Sequence, residues 1–498
     1  MISTRRRAAA LALAASLALA GCGSQLDPAD LAGVSASGQA ASGGDVLDPG
    51  VGVTDLDPSS DPGAIPDSGG EVPDVGGGPV GASGPVDSGS PGDPDGGSAP
   101  GAPTSAPESE DGGPSAASCD GFDDDQPGVT ASTITLANVA DISGPVPGIF
   151  ESARQATKAY VTYFNATQKL CGRSIKLLEL DSRADAGADQ QAYARACTET
   201  FAAVGSMSAF DSGGAATAEE CGLPDVRSTS VNPERSKCKT CFSAQSLAPG
   251  LVPDALPDYF SSVNKSATQN VALMYVNAGA APVNAASFKK AWETRGWKVN
   301  YFQGIDVAEF NFAPYVQQMK DRGIELVYYV GPYQTTIKIQ QTMKQQGFEP
   351  EIYLQDSTIY DARYVEQAGD VAEGSYAYSS TALFDDTSNP EMKLYRAWLE
   401  QVSPGADPNF FGAYAWSAAR LFLDTALELG GDLTRPAMIG KVAKVNNWTG
   451  NGLHGPQGVG PKQTGKCLKI IQLTGGSWKQ VSKGNYLCGD LVSTGLGG

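Results

Sequence analysis

The stretch "STITLANVADISGPVPGIFESARQATKAYVTYFNAT" (132–167) decides the fold. Its first nine residues (132–140) are rich in Thr, Ile, Leu and Val, the composition of a strand. Residues 140–150 turn through Gly and Pro, and 148–167 carry apolar residues at helical spacing. The pattern then repeats: strand 174–182, helix 185–202, strand-like 203–210, helix 212–222 and strand 224–230. It starts again at 269, with strands at 269–277, 297–305, 324–331 and 351–357 and helices at 282–296, 308–323 and 335–347. Helices at 390–402 and 409–430 and a closing hairpin within 467–488 complete the chain. Regular β-α alternation predicts parallel sheets with helices on both faces and right-handed crossovers. Two such sets predict an α/β protein of two doubly wound lobes.

Upstream of this part, "MISTRRRAAALALAASLALAGC" (1–22) has a basic start, a short apolar run and small residues before Cys22. That is a secretory signal; a membrane span needs about 20 apolar residues. The ending Leu19-Ala20-Gly21-Cys22 resembles a bacterial lipobox, which implies removal of 1–21, lipidation of Cys22 and retention on the outer face of the cytoplasmic membrane. From there to residue 118 the chain turns to Gly, Pro, Ser, Ala and Asp. Its sixteen acidic residues and absence of Lys or Arg predict a disordered tether with a reach of roughly 50–60 Å. This tether carries most of the net charge of −20, so the acidity says little about a partner. With no basic stripe to neutralise phosphates, nucleic acid is excluded as a partner.

Eight cysteines remain beyond Cys22, an even number that in an exported chain predicts disulfides. Cys171–Cys197 and Cys467–Cys488 are the expected pairs, leaving Cys119, Cys221, Cys238 and Cys241 with three possible connectivities. Cys238-Lys-Thr-Cys241 has CxxC spacing, but it lies in a Lys/Ser-rich loop and the chain has one histidine, so a structural bridge is expected over redox chemistry or zinc.

"AFDSGG" (209–214) differs by one residue from the sequence around the nucleophile of trypsin-like proteases. A protease of that kind needs a histidine base oriented by a carboxylate. The single histidine, His454, follows the serine in sequence and lies in a Gly/Pro-rich loop, and the β-α alternation excludes a pair of antiparallel barrels. No GxSxG elbow, P-loop or strand-following GxGxxG occurs in the folded part. Asp123-Asp124-Asp125 reads as a solvated turn. No enzyme, cofactor or metal is expected, and "AFDSGG" reads as a helix start. There Asp211 or Ser212 would cap, and Gly213 and Gly214 would allow close backbone approach.

Six polar turns follow predicted strands and precede helices, three per lobe: 140–150, 206–214, 227–233, 277–284, 330–336 and 354–361. Ligands of open α/β sheets bind outside the carboxyl ends of the strands, so the set predicts a cleft for a small molecule.

The lipobox with "ITLANVADISGPVPGIFESARQATKAYV", "CGRSIKLLELDSRAD", "GIELVYYVGPY" and "PEMKLYRAWLEQV…AYAWSAARLFLDTALE" resembles the type I periplasmic binding proteins, in the leucine-binding-protein-like branch of branched-chain amino acid and amide receptors. The resemblance implies an N-terminal lobe of 119–246 and 378–455, a C-terminal lobe of 247–377 and 456–498, hinge strands between them, and the permease subunits of an ABC importer as partners. A ligand-sensing lipoprotein without a transport role is the alternative. By motif position the loops at 206–214 and 227–231 would hold a ligand carboxylate through Ser208, Ala209, Phe210, Thr229 and Ser230. Ile149 and Phe150 would meet its side chain, and Asp356 would hold an amino group. Ala209 and Phe210 stand where the family has serines, and Ala280 where an aromatic is common; Tyr333 and Tyr360 are candidate aromatic walls. The α-amino-acid clamp is therefore incomplete, which implies a less polar ligand: an aromatic or aliphatic acid, or an amide.

Overall fold

The β-α alternation forms two sheets in the computed structural model of the protein, which describes residues 117–496. Residues 1–116, on which the expected signal peptide, the expected lipidation site Cys22 and nearly all of the expected tether fall, lie outside the described residues. The first sheet is parallel throughout, in the order β2-β1-β3-β4-β5. Its strands are β1 (Thr133–Ala140), β2 (Ser174–Asp181), β3 (Ala202–Val204), β4 (Asp225–Thr229) and β5 (Cys241–Gln245). β1 is buried from Leu136 to Ala140 because helices cover both faces. Glu151–Thr167 and Phe410–Leu429 pack on one face, where the Tyr160 and Trp416 rings meet edge to face at 4.8 Å. The helix Phe410–Leu429 is apolar nearly all round and is accordingly buried along most of its length. β5 escapes sequence reading: "CFSAQ" holds no β-branched residue, and its pairing with β4 imposes the extended conformation.

The second sheet has the order β13-β12-β11-β10-β9-β7-β8. Here β6 is Leu251–Pro253, β7 Val271–Val276, β8 Val299–Ile305, β9 Leu326–Val330, β10 Ile352–Gln355, β11 Tyr376–Ser379, β12 Cys467–Thr474 and β13 Ser477–Gln480. β7 to β11 are parallel; β12 and β13 form an antiparallel edge. The β12–β13 turn uses Gly475 and Gly476 at φ 61° and 73°, the left-handed values that a two-residue hairpin turn demands. β14 (Leu487–Cys488) pairs with β12, and β15 (Leu491–Ser493) pairs with β6.

The chain passes between the sheets after β5, after β11 and before β12, and the three crossings are tied to one another. The Ser246 amide donates to Gln457 Oε1 (3.2 Å), Gly455 N–H to the Ser380 carbonyl (2.8 Å), and Ala248 N–H to Thr464 Oγ1 (2.8 Å).

The cysteines correct one expectation. Cys171 does not bond Cys197. Cys119 pairs with Cys171, Cys197 with Cys221, Cys238 with Cys241 and Cys467 with Cys488. The helices Ala186–Glu199 and Ala215–Glu220 lie side by side on one sheet face, which brings Cys197 and Cys221 into the same apolar cluster. Cys171 stands at the start of edge strand β2, where the segment arriving at residue 119 meets it. Cys238 and Cys241 are both buried.

Candidate functional site

A cavity of about 280 Å³ lies where the carboxyl ends of both sheets face each other beside the crossings. Six of the expected residues line it: Ile149, Phe150, Ala209, Thr229, Ala280 and Asp356. Phe150 is held edge-on against Phe411 at 4.8 Å, so the turn after β1 presents an aromatic wall. Ala209 and Ala280, expected as separate contacts, also join the lobes directly. The Ala280 N–H donates to the Ala209 carbonyl at 3.2 Å, and a Cβ at Gly279 would lie 2.8 Å from that same oxygen. Only small residues permit this approach.

Ser208, Phe210, Ser230 and Tyr333 do not line this cavity. The Ser208 hydroxyl faces inward and accepts from the Phe210 amide (3.0 Å), while the Ser230 hydroxyl accepts from Ser243 (3.2 Å). Tyr333 borders a small side pocket, under the Arg363 guanidinium at 5.5 Å. Tyr360 stacks on Phe384 with ring centroids 4.0 Å apart.

Asp211 and Ser212 do not cap the helix Ala215–Glu220; its N-cap is Gly214, with no side-chain cap. Asp211 is fully buried and binds the neighbouring loop, accepting from Val231 N (3.0 Å), Asn232 N (3.1 Å) and Asn232 Nδ2 (2.8 Å). Beneath it lies a buried ionic cluster. Arg227 meets Asp225 (3.2 Å) and Asp211 (3.7 Å), and Arg235 bridges Asp225 (3.0 Å) and Asp189 (3.1 Å). Burial pushes the Asp189 carboxyl up to about 6, against the pull of the two guanidinium groups. Asp189 also accepts the Gly214 amide (2.8 Å), so the cluster holds the loops at 206–214 and 227–231 in place.

Across the cavity, Asp356 Oδ1 accepts from Thr358 N (2.9 Å) and from the Thr358 hydroxyl. Burial pushes this carboxyl up to about 6 as well. It is the one charged residue lining the cavity, and the remaining wall is mostly apolar.

Sequence reasoning missed the crossing segments, which contribute Ser246 to Pro253, Gln457 and Thr464, and it missed Phe410 and Phe411. The crossings have no hydrophobic period to read, and "NFF" passes for ordinary helix core. Asn284, Ser287 and Phe288 also line the wall, so the cavity runs along the first two turns of the helix Ala281–Thr294 as well as its start.

His454 does not approach "AFDSGG". It is buried with Nε2 at 2.7 Å from the Ser417 hydroxyl, and neither residue lines the cavity. Among the described residues no helix is long and apolar enough to cross a membrane, and no group of His, Cys, Asp or Glu could hold a metal ion.

Two α/β lobes joined by three crossings around a cavity define a two-lobed ligand-binding protein of type I topology. The chain belongs to the periplasmic binding protein family, whose profile matches residues 133–477. The Leu/Ile/Val-binding protein homolog 1 of Brucella abortus is 23% identical over 144 residues, which cover 29% of this chain and 37% of that protein. The chain thus matches little more than a third of this curated relative's length. The leucine binding protein of Thermotoga maritima shares the fold at 18% identity and a TM-score of 0.60, over 70% of this chain and 98% of that one. A fatty acid ABC transporter substrate-binding protein from Thermomonospora curvata does so at 16% identity and 0.63, over 75% and 95%. An R. palustris solute binding protein solved with 4-hydroxybenzoate aligns at 18% identity and 0.60, over 73% and 99%. Family membership implies an extracytoplasmic binding protein.

Proposed function

We propose that the protein is a lipid-anchored receptor that captures a small molecule between its lobes and delivers it to an ABC importer. The ligand is an amino acid, amide or related organic acid with a substantial apolar body. The observation that carries this reading is the mostly apolar interlobe cavity with a single charged side chain, Asp356. A site of this kind binds by burying apolar surface and orients by a few polar groups. An apolar cavity of roughly 150 Å³ accommodates benzene, so the volume here suits a ligand of about a dozen non-hydrogen atoms. That solved relatives are described with leucine, fatty acids or hydroxybenzoate supports a family able to hold such bodies.

The test is a thermal-shift screen of the purified receptor against amino acids, aromatic acids, aliphatic acids and amides. A ligand at about 100 times its Kd adds roughly 2.7 kcal/mol of stability. Preference for leucine or valine over every non-amino acid would refute the less polar ligand. For the anchor, Cys22→Ser should abolish labelling by radioactive palmitate and leave residues 1–21 attached; palmitate label on the variant would refute lipidation of Cys22.

A further inference from the structure

The first-lobe loops expected to hold a ligand carboxylate already hold carboxylates of the protein. Asp141, fully buried at the end of β1, accepts from Ala209 N (2.8 Å), Ala184 N (3.1 Å) and the Ser182 hydroxyl (2.6 Å). Asp211 takes the amides of Val231 and Asn232, and Ser208 takes that of Phe210. The donors at 209, 210, 231 and 232 are therefore occupied from within. Arg227 is wholly buried against Asp211 and Asp225 and contributes nothing to the cavity wall, and no Lys or Arg lines it.

Asp356, which accepts hydrogen bonds, is the one charged side chain left facing the cavity, and the other polar lining groups are neutral. Asp356 Oδ2 meets no donor among the described residues. Thr229 and Ser287 also line the cavity, but their hydroxyl oxygens are buried in its wall and bring no charge to it. An anionic head placed here would face Asp356 and the internally neutralised loops, whereas a donating head would satisfy the open oxygen. Like charges brought together in a desolvated site are strongly rejected.

We propose that the site selects a ligand whose head group donates hydrogen bonds, a primary amine or primary amide on an apolar body, and discriminates against the matching carboxylate. This rests on the receptor reading above and narrows its ligand class. Asp141 and Asp211 are then specificity-determining residues, because they fill the loop amides that would otherwise receive an anion.

The experiment measures binding to the purified full chain by calorimetry, with benzamide, benzylamine and benzoate, and with hexanamide, hexylamine and hexanoate. It is run at about pH 7.5, above the value near 6 of Asp356, so that this carboxyl is ionised. The amide or amine of a set should bind about tenfold or more tightly than its carboxylate. Asp356→Asn should weaken the amine by about tenfold and narrow its advantage over the carboxylate. A carboxylate that binds as tightly as its amide and amine overturns the inference and leaves the receptor reading standing. If no compound of either set binds, the receptor reading for apolar small molecules falls, and this inference with it.

Discussion

Replacing His454 should make the protein less sensitive to acid, although it removes a buried hydrogen-bonded group. The imidazole stacks on Tyr414 at 4.5 Å, and its contacts fit the tautomer with hydrogen on Nδ1. Nδ1 donates to the Gly455 carbonyl (2.9 Å), and Nε2 accepts from the Ser417 hydroxyl (2.7 Å), whose oxygen accepts from the Trp448 indole (2.8 Å). Burial lowers the imidazole from 6.5 to about 4, opposed by the Gly455 carbonyl. In the unfolded chain the ring takes up a proton as pH falls through about 6.5; in the folded chain it resists until about 4. Folding stability is therefore intact above 6.5 and declines between 6.5 and 4. The 2.5-unit gap amounts to about 3 kcal/mol in total, of which about 2 kcal/mol is lost between pH 7 and pH 5. Buried carboxyls pushed up to about 6, such as Asp189, Asp356 and Asp424, act in the opposite direction. They are common to both proteins and cancel in the difference. The assay is urea unfolding of the wild type and His454→Gln at pH 7 and pH 5. The variant should be less stable at pH 7 yet lose about 2 kcal/mol less on acidification. Equal losses in the two proteins would refute the reasoning.

Three further outcomes are expected. Cys119→Ser with Cys171→Ser opens a loop of 52 residues in sequence separation and should cost about 4 kcal/mol, against about 2 kcal/mol for the Cys238–Cys241 pair, separated by 3. Peptide mapping without reduction checks the pairing first. Gly213→Ala would place a Cβ 1.9 Å from the Ala186 carbonyl, and Gly214→Ala one 2.2 Å from the Tyr193 ring. Each should cost about 1–3 kcal/mol by thermal or urea unfolding, and an unchanged midpoint would contradict the packing. Asn409 caps the helix Phe410–Leu429 through Gly412 N (3.0 Å) and donates across the lobes to Asp361 Oδ2 (3.2 Å). Asn409→Asp keeps the cap but sets two carboxylates face to face, so small-angle scattering should report a larger radius of gyration, with the unfolding midpoint nearly unchanged.

"AFDSGG" shows how far local reading reaches. The need for small residues at 213 and 214 was legible, and so was the improbability of a serine nucleophile in a chain with one histidine. The role of Asp211 was not, because its partners, Val231 and Asn232, lie about twenty residues away on another loop. Ser208 likewise sits on a loop that borders the cavity, yet turns its hydroxyl inward to the Phe210 amide. The crossing segments that line the cavity have no period and no motif, so nothing in the sequence marked them.

The sequence by itself determined the β-α alternation, its restart near residue 269 and hence two lobes, because apolar spacing is a property of neighbours along the chain. Only the tertiary structure decided the partners of Cys171 and Cys197, the extended state of β5, the contact between Ala209 and Ala280, and which loop amides remain free. Those outcomes depend on which non-consecutive elements lie side by side, and packing across the sheets selects among arrangements that local periodicity leaves equal.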